Sequence, residues 1–325
     1  MPSTPAPIRI ELPFAIEKKT VNAYLFREPE PVLIDTGDWT DATWQALLAG
    51  LAQQGLTPAD LSKVIITHVH TDHIGQAARL AEESDAEFVI LDAGYEWLTR
   101  FTDMWQSRSR YYARIFLPGA DLTPEQRGQM ADYGKWVQER YRGVPAARVT
   151  AIAPDTRLEL GGATWQALHL PGHAVSQSCF YQPESRQFLA SDMLLQRTPT
   201  PVIEPNATLD GREPALPQFI HSLHRVDAME IDWVLPGHGE PFADAHELIQ
   251  RQLARIDRRK EECFTQLAGG ATTARELLAA MYPPAPFINM AGLWMVIGYL
   301  DLLQAEGRIA MGTEDGVWRY RPREK

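Results

Sequence analysis

The sequence predicts an α/β fold that carries a helical insertion and a helical C-terminal module. Short β-branched segments alternate with amphipathic helical segments over residues 8–92, which is the pattern of a sheet covered by helices. Residues 93–146 interrupt this alternation with helical sequence rich in aromatic residues. From residue 246 the chain becomes helical again and ends in two strands around a turn. We therefore expect a main domain of residues 1–245 and a C-terminal module of residues 246–325.

The first part of the main domain alternates predicted strands with predicted helices. The strands, rich in β-branched residues, are "IRIEL", "VNAYLF", "PVLID", "SKVIITH" and "AEFVILD". The segment "TWQALLAGLAQQG" has apolar residues at helical spacing and ends at Gly55, where a helix commonly stops. A second helix is expected at "IGQAARLAEES", between the last two strands.

The second part of the main domain returns to strands after the insertion. "RVTAIAPDTRLELGGATWQALHL" predicts strands that include a hairpin turning at its Gly-Gly pair. "SCFYQPESRQFLASD" is a second predicted hairpin, and "TPTPVIEPNATLDGREPALP" is a Pro-rich loop. The helix "QFIHSLHRVDAM" and the strand segment "IDWVLPGHG" complete this part of the chain.

The C-terminal module is predicted to be winged-helix-like. It contains two helices, "TTARELLAAMY" and "LWMVIGYLDLLQAEG", followed by two strands around a "TEDG" turn. A winged helix that binds DNA brings basic residues to the phosphates, whereas residues 251–325 hold eleven Lys and Arg against nine Asp and Glu. This balance favours packing, formation of a homodimer or a place in the pocket wall over DNA binding.

The composition argues against several classes of protein. The formal net charge is −11, so the chain as a whole has no electrostatic reason to bind nucleic acid or an anionic membrane. No apolar run approaches the ~20 residues of a membrane helix. The two cysteines are far apart and form no disulfide framework, and the N-terminus lacks the pattern of a secretory signal. These features predict a soluble cytoplasmic protein that acts on a small molecule.

Residues 67–75, "THVHTDHIG", are the clearest functional signal in the chain. Alternate residues of an extended segment point the same way, so His68 and His70 can share one metal ion. Asp72 and His73 lie beyond the turn and can face a neighbouring ion. Imidazole and carboxylate groups suit zinc, and they also suit iron or manganese.

Four ligand-type residues do not complete two coordination spheres, and three further segments have the expected form. His173 follows Pro-Gly in "LPGHA", Asp192 ends the strand segment "LASD", and His238 lies in "LPGHGE". Each of these residues is expected at the end of a strand, as the histidine motif is. The histidines for which we expect structural or surface roles are His169, His221, His224 and His246.

These motifs, in this order, resemble those of the metallo-β-lactamase superfamily. The HxHxDH pattern of that family is present as "HVHTDH", and a separated His, an Asp and a last His follow it. "IDTG" at residues 34–37 is similar to the first motif of the family. The resemblance covers roughly residues 8–245 and implies a four-layer αββα sandwich with two divalent metal ions at one edge of the two sheets.

The resemblance also implies a set of ligands and a mechanism. The implied ligands are His68, His70 and His173 for the first metal, Asp72, His73 and His238 for the second, and Asp192 as the bridge. Asp35 would accept a hydrogen bond that orients a ligand histidine. Two ions about 3.5–4 Å apart would lower the pKa of a bridging water, and the resulting hydroxide would attack the substrate. Asp72 would orient the hydroxide and pass a proton to the leaving group.

The substrate class depends on the branch of the family and on the insertion. The chain is similar to bacterial metallo-hydrolases related to β-lactamase-like protein 2, a broad group of esterases, thioesterases, lactonases, phosphodiesterases and ribonucleases. Aromatic residues of the insertion at helical spacing, such as Trp97 and Trp105, either pack it onto the sandwich or form an apolar lid over the metals. Arg108, Arg110 and Arg114 could meet an anionic group, but we interpret them as a solvated face.

Because the insertion is aromatic and the chain is acidic, we expect cleavage of an ester, a thioester or a lactone. The first alternative is a phosphodiesterase or ribonuclease of the same fold. The second alternative, from a different class, is a non-enzymatic ligand sensor or regulator.

Overall fold

Two β-sheets lie at the centre of the fold in this computed structural model, which describes residues 6–14, 20–197 and 199–323. The strands of the first sheet follow one another in chain order: β1 (Ile8–Pro13), β2 (Thr20–Phe26), β3 (Val32–Ile34), β4 (Lys63–Ile66), β5 (Glu87–Leu91) and β6 (Val149–Ile152). The strands of the second sheet are β7 (Arg157–Leu160), β8 (Ala163–His169), β9 (Ser178–Gln182), β10 (Gln187–Ser191) and β11 (Trp233–Pro236). A C-terminal hairpin consists of β12 (Ile309–Glu314) and β13 (Val317–Pro322).

Both sheets combine antiparallel and parallel pairs. In the first sheet β1, β2 and β3 are antiparallel neighbours, and the pairs from β3 to β6 are parallel. In the second sheet the spatial order is β11-β10-β9-β8-β7, with β10 and β11 parallel and the other pairs antiparallel. The C-terminal ends of β3 and β4 therefore meet at one edge of the first sheet, and those of β8, β10 and β11 meet at one edge of the second.

Helices cover the outer faces of the sheets. They are α1 (Asp41–Gln53), α2 (Thr71–Ile74), α3 (Ala77–Glu83), α4 (Asp92–Thr99), α5 (Phe101–Tyr111), α6 (Leu117–Gly119), α7 (Pro124–Arg140), α8 (Ala215–Asp227), α9 (Ala245–Ala268), α10 (Ala274–Met281) and α11 (Met290–Ala305). A π-helical turn at Tyr112–Phe116 joins α5 to α6. Within the described residues, none of these helices has the length and apolar character needed to cross a bilayer.

Local sequence signals set several helix ends. The hydroxyl of Thr40 accepts a hydrogen bond from the backbone N–H of Thr43 and caps α1. Gly55, just beyond the end of α1, has a φ of 73°, a conformation that glycine adopts at little cost. Thr123 and Gln126 form a reciprocal capping box at the start of α7.

Successive side chains of a strand point to opposite faces of its sheet, so the apolar residues form three clusters: one between the sheets and one on the outer face of each. Four layers result. In β4, Ile65 lies between the two sheets, whereas Val64 and Ile66 pack against the helices on the outer face. In β10, Leu189 lies between the sheets and Phe188 faces the helices on the opposite side of the sandwich. This arrangement, helix layer, sheet, sheet, helix layer, confirms the predicted αββα sandwich.

The insertion and the C-terminal segment both pack on the sandwich. Helices α4–α7 lie between β5 and β6 in the chain, where the sequence predicts the helical insertion. In the C-terminal segment α11 lies close against α8, because a Cβ at Gly298 would come within 2.5 Å of the Cβ of Leu216. Helices and a hairpin follow in the predicted order, while the winged-helix character and the boundary at residue 245 stay predictions.

Removal of the Phe180 ring should destabilise the space between the sheets. Phe180 of β9 is fully buried there, so Phe180→Ala is expected to lower the free energy of unfolding by about 3–5 kcal/mol. Phe287 is the matched control because 76% of its surface is exposed, and Phe287→Ala should change stability by less than about 0.5 kcal/mol. Urea unfolding followed by tryptophan fluorescence measures both, and similar losses in the two variants would contradict this assignment of the core.

Candidate metal centre

The seven candidate ligands, and Asp35, which is expected to orient one of them, lie at the C-terminal ends of strands from both sheets. Asp35 follows β3, His68 and His70 follow β4, Asp72 and His73 lie in α2, His173 lies in the loop after β8, Asp192 follows β10, and His238 lies just beyond β11. Two backbone hydrogen bonds join the sheets at this edge. The N–H of Ser178 donates to the carbonyl of Thr67 at 2.8 Å, and that of Asn22 donates to the carbonyl of Gly237 at 2.7 Å.

The structure brings all seven candidate ligands together. Among the described residues, ligand atoms within 4.8 Å of one another form three overlapping groups: His68, His70 and His173; His68, His73 and Asp192; and Asp72, His73 and His238. The Oδ2 atom of Asp192 lies 3.4 Å from the Nε2 atoms of both His173 and His238, so this carboxylate lies between the first group and the third. The first and third groups coincide with the expected ligand sets, and the assignment of each residue to an ion stays a prediction.

The buried atoms of this cluster fit a divalent cation. The Nε2 atoms of His73 and His173 and the Oδ1 atom of Asp192 are buried and make no hydrogen bond within the described part of the chain. The Nε2 atom of His68 and the Nδ1 atom of His70 face each other at 3.1 Å. Buried polar atoms without partners cost free energy, and a cation is the partner that suits imidazole nitrogens and carboxylate oxygens together.

In three of the histidines, a hydrogen bond donated by Nδ1 fixes the orientation of the ring. The Nδ1 atoms of His73, His173 and His238 donate to Asp35 Oδ2 at 2.8 Å, to the Thr200 carbonyl at 3.0 Å and to the Thr20 carbonyl at 2.7 Å, respectively. In the neutral form of each ring, which is the form that binds a metal, Nδ1 is the donor and the lone pair lies on Nε2, which points into the cluster. Such contacts fix the tautomer and the ring orientation of a metal ligand.

The carboxylate of Asp35 joins three segments of this edge. It accepts the backbone N–H of Thr67 at 2.8 Å, the hydroxyl of Thr67 at 2.7 Å and the Nδ1 of His73 at 2.8 Å. Asp35 itself has a φ of 60°, a left-handed conformation that Asp tolerates better than most residues. The contact to His73 has the orientation expected of Asp35, and its effect on metal binding stays a prediction.

The histidines of the cluster differ in pKa, because burial and the charges of their neighbours act on each ring to a different extent. Burial and the neighbouring histidines hold the pKa of His68 well below its usual value, so this ring is neutral. Burial also acts to lower the pKa of His73, but Asp192, Asp35 and Asp72 outweigh it and raise that pKa to about 10. Since a metal ligand must be deprotonated, binding of a metal ion by His73 would displace a proton.

Two features of the cluster were not recognised from the sequence. A Cβ at Gly237 would lie 2.1 Å from Asp192 Oδ1 and 3.0 Å from His73 Cε1, so only glycine fits there. The hydroxyl of Thr67 contacts the hydroxyl of Ser191 at 2.8 Å and His68 Nδ1 at 3.1 Å. The sequence does contain a signal for both features: a Gly or a hydroxyl residue directly precedes a candidate ligand in "PGHG", "THVH" and "SD".

A pocket of about 210 Å³ opens beside the ligand cluster. His70 and Asp72 form part of its wall, and the insertion contributes Trp97, Trp105 and Tyr133. Trp294 of α11 and Glu204 of the Pro-rich loop also line it. Trp105 also belongs to the packed core between the first sheet and its helices, so the insertion both packs on the sandwich and lines this pocket. A role as a lid over the metals stays a prediction.

One expectation about the insertion is wrong. Arg108 does not lie on a solvated face, since it is buried in the pocket wall and pairs with Glu204 at 2.9 Å. Arg110 and Arg114 are exposed, as expected. The sequence carries no local signal for the pair, because its two members are far apart in the chain.

Comparison with known proteins assigns the chain to a family. Residues 17–238 match the sequence profile of the metallo-β-lactamase superfamily. The chain belongs to this superfamily. The predictions of the superfamily, of its fold and of a metal-dependent hydrolase are thereby confirmed.

Individual relatives cover nearly the whole chain. A probable metallo-hydrolase of Bacillus subtilis is 28% identical, with 93% of this chain and 92% of that protein covered. An atrochrysone carboxyl ACP thioesterase of Aspergillus fumigatus is 24% identical, with 84% of this chain and 72% of that protein covered. The crystal structure of a metallo-β-lactamase family protein from Thermus thermophilus is similar with a TM-score of 0.82 and 25% identity, over 98% of this chain and 99% of that one.

Replacement of Asp35 should weaken metal binding. Asp35→Asn removes the charge that holds Thr67 and His73, so affinity for a divalent metal is expected to fall by about 10- to 100-fold. A competition titration with a chromophoric chelator measures the affinity. Asp41→Asn is the matched control, since the side chain of Asp41 is 94% exposed. An unchanged affinity in a folded Asp35→Asn protein would contradict the proposed orienting role.

Proposed function

We propose that this protein is a dinuclear metal-dependent hydrolase that cleaves a thioester, an ester or a lactone. The observation that carries the proposal is the pocket of about 210 Å³ beside the ligand cluster, in which His70 and Asp72 share a wall with Trp97, Trp105 and Tyr133. Pockets walled by aromatic side chains bind apolar groups, so the wall suits the acyl part of a substrate.

The charges of the pocket favour an acyl substrate over a phosphodiester. Among the described residues of its wall, Arg108 is the one Lys or Arg, and Glu204 neutralises it at 2.9 Å. Asp72 adds a further negative charge. A site that binds phosphodiesters or RNA is expected to present a net positive surface to the phosphates, which this wall does not.

The ligand cluster would hold two divalent ions. The proposed ligands are His68, His70 and His173 for one ion, Asp72, His73 and His238 for the other, and Asp192 between them. Imidazole nitrogens and carboxylate oxygens favour zinc, with iron or manganese as alternatives. When bound, the ions supply an activated water and polarise the substrate carbonyl.

Asp72 is suited to act on the attacking water. Burial acts to raise the pKa of its carboxyl, but His73 and His238 outweigh burial and lower it to about 2. Its Oδ2 atom lies 3.2 Å from His238 Nε2, which fixes one side of the carboxylate. The carboxylate is therefore ionised at neutral pH and can accept a hydrogen bond from the water and relay its proton.

The leaving group favours a thioester among the three acyl substrates. A thiol has a pKa of about 8.5, so it leaves as a thiolate more readily than an alcohol leaves as an alkoxide. The thioesterase name of the Aspergillus relative supports the same choice.

We also propose a small-molecule substrate and a cytoplasmic location. Cys179 and Cys263 are both free and buried, which is compatible with a reducing compartment. Burial raises the pKa of the Cys179 thiol well above its usual value, so this cysteine is not an activated nucleophile.

Metal content and turnover test the proposal. The purified protein should hold two divalent ions and hydrolyse a thioester or a lactone faster than bis(4-nitrophenyl) phosphate. His68→Ala should lower kcat/KM by more than about 100-fold, because it removes a buried ligand-type nitrogen from two of the groups. His221→Ala is the matched control, since this histidine is exposed on α8. A protein that binds no metal, or an active His68→Ala variant, would refute the proposal.

A further inference from the structure

A buried ion pair interrupts the aromatic wall of the substrate pocket. Arg108 of α5 and Glu204 of the Pro-rich loop approach to 2.9 Å between Nε and Oε2. Their side chains are only 9% and 13% exposed, and both line the pocket that also contains His70 and Asp72. The pair is thus enclosed by protein and accessible to a molecule in the pocket.

The pair is held in place by three segments that are distant in sequence. The guanidinium of Arg108 lies over the rings of Trp105 and Tyr112, at 4.9 and 4.6 Å from their centroids. The hydroxyl of Tyr112 accepts the Nη2 of Arg108 at 3.3 Å and donates to the carbonyl of Ile203 at 2.6 Å. Trp294 of α11 donates its indole N–H to the same hydroxyl at 3.0 Å. The insertion, the Pro-rich loop and the C-terminal segment therefore meet at this point.

Stability does not account for a pair in this place. Desolvation of two charges offsets most of their attraction, and apolar residues of similar volume are often equally stable or more stable there. Enclosed charged groups in a cleft are more typical of a functional site. Nη2 of Arg108 donates to Tyr112, whereas Nε of Arg108 and Oε2 of Glu204, although 2.9 Å apart, are buried and make no hydrogen bond to the described residues, so donors and an acceptor remain for a ligand.

We propose that Arg108 and Glu204 form a recognition subsite for an uncharged polar group, a hydroxyl, on the acyl part of the substrate. A hydroxyl both donates and accepts, so it can bond to the carboxylate and to the guanidinium together. The two charges largely cancel, so the pair gives no net attraction to an anionic or a cationic group, whereas a neutral hydroxyl can bond to both members. Trp294 forms part of the surrounding wall, which gives the C-terminal segment a place in the substrate pocket. This inference rests on the proposed function, because it names the acyl group that the hydrolase selects.

Matched thioesters test the subsite in the metal-loaded protein. The probes are N-acetylcysteamine thioesters of 4-hydroxyphenylacetate and of 3-(4-hydroxyphenyl)propanoate, each compared with its deoxy analogue. A hydrogen bond to a charged group predicts that kcat/KM for at least one hydroxylated thioester exceeds that of its deoxy analogue by about tenfold or more. If neither hydroxylated thioester is preferred, the subsite does not exist as proposed.

A change of charge gives a second, sharper test. Glu204→Gln keeps the shape of the side chain but leaves Arg108 uncompensated, so the variant should lose the preference for the hydroxyl. It should instead gain about tenfold or more in relative kcat/KM for the 4-carboxyphenylacetyl thioester. Glu96→Gln is the matched control, since Glu96 pairs with Arg100 on the exposed surface of the same insertion. Equal specificity in Glu204→Gln and in the control would overturn the proposal.

Two further measurements keep the test decisive. If Glu204→Gln does not fold, Trp294→Phe removes the bond to Tyr112 and should lower the hydroxyl preference. Calorimetric titration with free 4-hydroxyphenylacetate and phenylacetate measures the subsite without turnover. Tighter binding of the hydroxylated acid with no hydrolysis of any thioester would refute the proposed function and leave the subsite supported. Hydrolysis with equal binding of the two acids would refute the subsite alone.

Discussion

The geometry of the ligand cluster depends on the hydrogen bonds that the buried carboxylate of Asp35 accepts. Through Thr67 and His73 they connect the end of β3 to the end of β4 and to α2. A buried carboxylate is costly unless its lone pairs are satisfied, so these groups hold one another in a single arrangement. The positive φ of Asp35 places its side chain between the two segments. The positions of the remaining ligand residues follow from strands that are bonded to this edge.

The ligand cluster holds several buried carboxylates whose negative charge the neighbouring histidines only partly balance. Three carboxylates, those of Asp35, Asp72 and Asp192, lie among histidines whose protonation differs from ring to ring. The neutral ring of His68 and the protonated ring of His73 are within one cluster because their neighbours differ in charge. Divalent cations would replace the protons and satisfy the buried nitrogens, which couples metal binding to the order of this edge.

The strands and helices were largely predictable from sequence because their signals are local, whereas the four-layer sandwich was implied by the resemblance to the family. In β4 and β10 the apolar residues alternate between two buried faces, and the helices are bounded by residues such as Thr40 and Gly55. The sequence predicts that the insertion is helical, but only the tertiary structure shows which of its aromatic residues pack on the sandwich and which line the pocket. Trp105 does both, since it packs in the core and lines the pocket, and no periodicity distinguishes those two surfaces.

The sequence by itself determined the superfamily and the candidate ligands, because their spacing within short motifs is a property of adjacent residues. The tertiary structure decided which side chains surround the reaction site. Arg108 was expected on a solvated face, but it is buried: Glu204, distant in the chain, pairs with it, and Trp294 bonds to the Tyr112 hydroxyl that it contacts. Burial and pairing of a charge depend on the segments that pack over it, and a linear pattern does not contain that packing.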